Sequence, residues 1–218
     1  MDKLTNEFKN SLICNAGDTL TDYLEVGIDS FIEDGILKDI PIVKSIIAGL
    51  KLAKNIHDRN LLKQTLSFLA ELNNGSLSEE QLDEYISIIE NNSKKCEEEL
   101  GRVLLYLNSF IDKEKSVMLS KSFKAYIKKQ INWNEFCEFA EIINRLFIQD
   151  LQILTKIKDR DIDLMFSRED EFRAERLYSL GLIGTFFKAL TFGDIKDGHI
   201  NSGRTISPLG KKFCEIIF

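Results

Sequence analysis

The sequence predicts a mainly α-helical protein, a multi-helix bundle over residues 1–158 followed by a small α+β appendage at 159–218. Three observations carry this. Only 2 prolines interrupt 218 residues, too few for a turn-rich β protein. Apolar residues recur at helical spacing through most of the chain as far as residue 158, where strand-like alternation is nearly absent. Turn residues concentrate at the end, where Gly181, Gly184, Gly193, Gly198, Gly203 and Gly210 make up half of the 12 glycines. A hydrophobic fraction of 44% with 15 phenylalanines supplies enough apolar surface to offset chain ordering, which excludes disorder.

In chain order, residues 1–16 carry Asp2, Lys3, Glu7 and Lys9 and no apolar run of export-signal length, so a cytoplasmic protein is expected, at most peripheral to the inner membrane. Residues 18–33 place Leu20, Tyr23, Leu24, Ile28, Phe31 and Ile32 on one helical face behind Asp18 as N-cap. Pro41 then opens a second helix, 41–56, because its fixed φ suits the first helical position. A third runs from about Asp58 to Leu72 and stops at Asn73, Asn74 and Gly75. Ser78 and Gln81 form a capping box for a helix reaching about Glu90. Further helices are expected over 93–111, 114–129 and 134–158, the first carried by Leu100, Val103, Leu104 and Leu107.

The segments 73–89 and 129–143 share a polar turn, an isolated apolar residue and an acidic amphipathic helix. This pattern resembles the helix–turn–helix pairing of EF-hand-like or TerB-like helical proteins, without calcium ligands in either turn.

Charge is unevenly spread. The net value is −6, which provides no overall positive field to attract phosphates. Residues 36–56 run against it, with Lys38, Lys44, Lys51 and Lys54 opposed only by Asp39. Ile42, Val43, Ile46, Leu50 and Ala53 line one face of this helix and Lys44, Lys51 and Asn55 the other, an arrangement suited to a membrane interface or a partner helix. Ile42, Val43, Lys44, Ile46, Leu50, Lys51 and Lys54 are therefore the candidate contact residues. No stretch reaches the ~18 uninterrupted apolar residues of a spanning helix.

Near the C-terminus, Leu177-Tyr178-Ser179-Leu180-Gly181-Leu182-Ile183 precedes Ile206-Ser207-Pro208-Leu209-Gly210-Lys211-Lys212-Phe213. A helix ending in LxxxGLI, a hairpin, and a closing (L/I)(T/S)xxGxxF resembles the ending of winged-helix domains. The resemblance implies a helix stop at Gly181, a strand from Leu182 and Ile183, a wing at 193–203, and a helix at 168–180 that DNA-binding members lay in the major groove. The interaction surface it implies is Arg168, Arg173, Arg176, Lys196 and Arg204. Glu169, Asp170, Glu171 and Glu175 outnumber the arginines of that helix, and Asp194 and Asp197 nearly offset Lys188, Lys196 and Arg204 in the wing. Such charges disfavour nucleic acid and point to packing or protein contact.

Signatures of chemistry are missing. Asp159, Asp161, Asp163 and Asp170 echo a calcium loop, but Leu164 stands where the sharp turn needs glycine, so a solvated charged turn is expected. His57 and His199 stand alone, and Cys14, Cys96, Cys137 and Cys214 are too far apart for paired metal ligands and read as reduced, mostly buried thiols. Nucleophile elbow, phosphate loop and HExxH are all absent from the sequence, so no catalysis, cofactor, metal or small-molecule substrate is expected.

Together, ILKDIPIVKSII, HDRNLLKQTLSFL and the GLI…SPLG ending resemble a group of uncharacterised bacterial all-helical proteins associated with phage-defence or abortive-infection loci. Apolar helices without site chemistry point to a non-enzymatic protein that binds a protein partner or self-associates, and the resemblance implies a defence setting. A membrane-perturbing effector working through 41–56 and a winged-helix DNA-binding regulator are the two alternatives.

Overall fold

The computed structural model describes residues 3–13, 40–49, 56–159, 168–187 and 202–218. These residues are mainly helical, with one small two-stranded antiparallel sheet near the C-terminus. The chain divides into two compact units, Met1–Asn144 and Arg145–Phe218. The expected helix at 18–33 lies outside the described residues.

The first unit contains α1 (Lys3–Leu12), α2 (Pro41–Gly49), α3 (Ile56–Leu72), α4 (Glu79–Glu90), α5 (Ser93–Ser109), α6 (Lys113–Ile127) and α7 (Trp133–Arg145). The helix α1 is an addition to the expected elements. Leu4, Phe8 and Leu12 fall one turn apart, and Phe8 and Leu12 are fully buried. Its Ser11 Oγ donates to Glu7 O and accepts from Ile42 N at 2.8 Å, so one helix satisfies an orphan N–H in the first turn of another. Pro41 occupies the first position of α2, as its fixed φ predicts.

Two reciprocal capping boxes explain the shared pattern of 73–89 and 129–143. Ser78 Oγ accepts from Gln81 N while Gln81 Oε1 accepts from Ser78 N, both at 3.2 Å. Asn132 and Glu135 do the same before α7, at 3.1 and 2.8 Å. Between α3 and α6 the close packing is polar as well as apolar. Ser116 Oγ donates to Gln64 Oε1 at 2.6 Å and Ser120 Oγ to Phe68 O at 2.9 Å, so these small hydroxyls leave no buried carbonyl or amide oxygen unmet at those points. An aromatic core runs through Phe8, Phe68, Phe123 and Phe136 with ring centroids 5.5–5.8 Å apart.

The second unit contains a 3₁₀ turn (Ile148–Asp150), α8 (Leu151–Lys158), α9 (Arg168–Ser179), β1 (Ile183–Phe187), β2 (Ser202–Ile206) and α10 (Pro208–Ile217). The strands pair Ile183 with Ile206 and Thr185 with Arg204. Leu154, Leu177, Leu182 and Phe213 are fully buried and form the centre of this unit.

Two expectations differ from this arrangement. The continuous helix over 134–158 is broken: α7 ends at Arg145, Phe147 is extended (φ −87°, ψ 129°), and α8 begins only at Leu151. The apolar period runs on through the break, but a buried Asp150 needs a cationic partner, and the break places it against Arg176. The units also divide at 144/145 rather than at 158/159. Buried Ile153, Leu154 and Ile157 turn α8 toward β2 and α9, so the helix belongs with the C-terminal elements although the composition changes only after it.

Candidate interaction groove

The structure separates the sequence candidates. On α2, Ile42 and Val43 are fully buried and Ile46 nearly so, in a unit where α2 packs on α1 and α3, while Lys44 is exposed. Leu50, Lys51 and Lys54 lie outside the described residues, as do Lys196, His199, Cys14, Asp161 and Asp163.

In the second unit, the candidates Arg168 and Arg173 lie on α9, and the candidates Arg176 and Arg204 are turned onto carboxylates. Arg176 Nε donates to Asp150 Oδ2 at 2.7 Å, and its guanidinium lies 5.0 Å from the Phe147 ring centroid. Arg204 donates to Thr185 Oγ1 and Glu171 Oε1, each at 2.9 Å, and to Glu175 Oε1, with the Tyr178 ring beside it. The acidic residues of α9 thus hold the hairpin arginine.

The GLI and SPLG motifs meet in space. Gly181 takes the left-handed conformation (φ +74°) that ends α9, Ser207 N donates to Leu182 O at 3.1 Å, and Ser207 Oγ donates to Gly181 O at 2.6 Å. Gly210 lies so close that a Cβ there would stand 1.8 Å from Leu182 O. Ser207 also accepts from Gly210 N at 2.8 Å, capping α10 ahead of Pro208 at its first position. Glycine is required at 210 by this backbone approach.

Two buried charged groups of the first unit, Glu99 and Lys124, have structural partners, while the buried Thr65 Oγ1 has none. Glu99, 2% exposed, accepts from Tyr85 Oη at 2.9 Å and Tyr126 Oη at 2.7 Å, with Lys95 Nζ at 3.6 Å. Burial, then Glu99, raises both phenols above their ordinary range. Lys124 Nζ donates to Glu71 O, Asn74 Oδ1 and Ser76 Oγ and pairs with Glu71 Oε1 at 2.6 Å, closing the turn after α3. Cys96 and Cys214 are buried thiols, and burial pushes Cys214 up to about 11. Among the described residues no three His, Cys, Asp or Glu side chains gather at metal-binding distance.

The feature sequence reasoning missed is a groove of about 870 Å³ in the first unit. Its floor is the outer face of α5, where Glu97, Glu98, Gly101, Arg102 and Leu105 follow one another; Leu4 of α1 and Leu61 of α3 line it too, and so does Asn144 of α7. The α7 side is tied to α5 by polar contacts: Tyr106 Oη donates to Glu141 Oε2 and Ser109 Oγ to Asn144 Oδ1, both at 3.3 Å. Two residues of the floor lack an internal explanation. Leu105 is 73% exposed. Gly101 sits in the middle of a 17-residue helix, where glycine costs roughly 0.5–1 kcal/mol against alanine, and a Cβ there would meet nothing within 4 Å. The sequence did carry a signal, since Gly101 and Leu105 fall one turn apart off the Leu100, Val103 and Leu107 face.

No family model, no curated protein and no solved structure matches this chain. Among the described residues no helix is long and apolar enough to cross a membrane.

Proposed function

We propose that the protein is a non-enzymatic interaction module that docks another protein chain on the α5 groove of its first unit. The observation that carries this is Leu105, an apolar side chain 73% exposed on the groove floor one turn from a glycine that internal packing does not require. A defence setting comes from the sequence resemblance alone and forms part of the proposal.

The alternatives draw less support. A membrane helix at 41–56 would have to present Ile42, Val43 and Ile46 to lipid, and these side chains are buried in the first unit. A DNA-binding use of the second unit needs Arg176 and Arg204 to meet phosphates, and both are held by carboxylates. The order α9, β1, β2, α10 and the clasp between Gly181 and Ser207 support a degenerate winged-helix arrangement used for packing or protein contact.

Light scattering and affinity capture with the wild type and Leu105→Asp test this reading. It predicts a concentration-dependent assembly or a captured protein that the substitution abolishes. A monomer whose capture profile is the same with and without Leu105→Asp would overturn it.

A further inference from the structure

The groove floor is shaped and charged for one kind of visitor. Its length follows α5 from Glu97 to Ser109, more than three helical turns, and α1, α3 and α7 supply further lining residues. An open Gly101 at the centre of the floor lets a backbone come close, and Leu105 offers an apolar anchor one turn away. The charges are lopsided. Glu97 and Glu98 line the groove with Arg102, and Glu141 stands exposed on α7, so carboxylates outnumber the cation of the lining.

We infer that the groove receives a single amphipathic helix from a partner protein, apolar along the stripe that rides over Gly101 and Leu105 and basic where it faces Glu97, Glu98 and Glu141. This rests on the docking reading above and adds the chemistry of the partner. Helix-in-groove binding places apolar anchors at one-turn spacing, and the Gly101–Leu105 spacing matches it. Charge complementarity then selects a cationic partner over an acidic one. A second copy docking by its own α5 fits less well, because both faces would carry the same excess of carboxylates.

The experiment uses two synthetic helical peptides of about 18 residues, one of leucine and lysine and one of leucine and glutamate, each long enough to follow α5. Binding is read by fluorescence anisotropy and by amide shifts in the full chain. A Cβ at 101 meets nothing within 4 Å and leucine raises helix propensity, so Gly101→Leu adds bulk to the floor, with circular dichroism checking that the fold is kept. The Leu/Lys peptide should bind, shift the amides of Gly101 and Leu105, and lose about tenfold in affinity or more with Gly101→Leu and with Leu105→Asp. Glu97→Lys/Glu98→Lys should weaken it about tenfold as well and leave the circular dichroism unchanged. Equal binding of the Leu/Glu peptide at the same amides would overturn the charge inference and leave the docking reading standing. Absence of binding by both peptides, or binding insensitive to substitution at 101 and 105, would overturn the helix-in-groove inference, with the Leu105→Asp capture experiment then deciding the docking reading separately.

Discussion

Tyr85 donates its phenolic hydrogen to the buried carboxylate of Glu99, Oη to Oε2 at 2.9 Å, and Tyr126 reaches the other oxygen of the same carboxylate at 2.7 Å. Two phenols from α4 and α6 thus satisfy an acid that α5 carries into the interior.

This trio makes the first unit sensitive to alkali. Burial and the facing Glu99 raise both phenols in the folded chain above the ordinary value of about 10. Below that value folded and unfolded forms both keep their protons, and the stabilisation is present in full. Between the unfolded value and the higher folded one only the unfolded chain loses protons, so stability falls as pH rises. Urea midpoints should therefore drop above about pH 10, and Tyr126→Phe should flatten that drop at a cost of about 1–2 kcal/mol at neutral pH. A Tyr126→Phe variant with the same alkaline slope as the wild type would refute the assignment.

In the second unit, Arg176 and Asp150 should behave as a coupled pair. Removing the guanidinium leaves a carboxylate that is 1% exposed without its partner, whereas Arg176 itself remains 42% exposed and its charge is partly screened. Arg176→Met should cost about 2 kcal/mol, and Asp150→Leu/Arg176→Met should recover part of that loss. Hydrogen exchange in α8 and α9 measures both. A cost below about 0.5 kcal/mol for the single change would mean that the pair contributes nothing beyond a surface contact.

Gly101 and Gly210 give opposite predictions for the same substitution. At 210 an added Cβ meets Leu182 O at 1.8 Å, so Gly210→Ala should destabilise the second unit by about 3 kcal/mol or more. At 101 nothing stands within 4 Å, so Gly101→Ala should stabilise α5 by about 0.5–1 kcal/mol. Thermal melts of the two variants should move in opposite directions, and a loss at 101 would show that its glycine serves internal packing.

Thiol accessibility offers an independent check on packing. Cys214 is 1% exposed and its thiol is pushed up to about 11, so at about pH 8 it should resist alkylation until urea unfolds the second unit. Labelling of Cys214 in the native protein at the rate of an exposed thiol would contradict the burial of α10.

Much of the helical architecture was legible because the determinants are local. Pro41 at a helix start, the Ser78–Gln81 box and the Gly181 stop are read from two to four adjacent residues, and each forms as expected. The break at 146–150 was not legible, since its cause, Arg176 reaching Asp150, lies 26 residues away in sequence. The cationic arginines of 168–204 were visible as charges, but only their geometry shows Arg204 held by Glu171 and Glu175. The groove was hidden for a related reason. One exposed leucine beside one glycine is unremarkable on a helix until α1, α3 and α7 are placed around it.

A photo-crosslinking amino acid in place of Leu105, with Ile88 on α4 as an exposed control at 42% exposure, reports whether the groove is occupied in cells expressing the protein. A docked partner should give a discrete adduct of the chain with another protein from position 105 and none from position 88. Adducts that are absent at 105, or identical from both positions, would contradict the groove account.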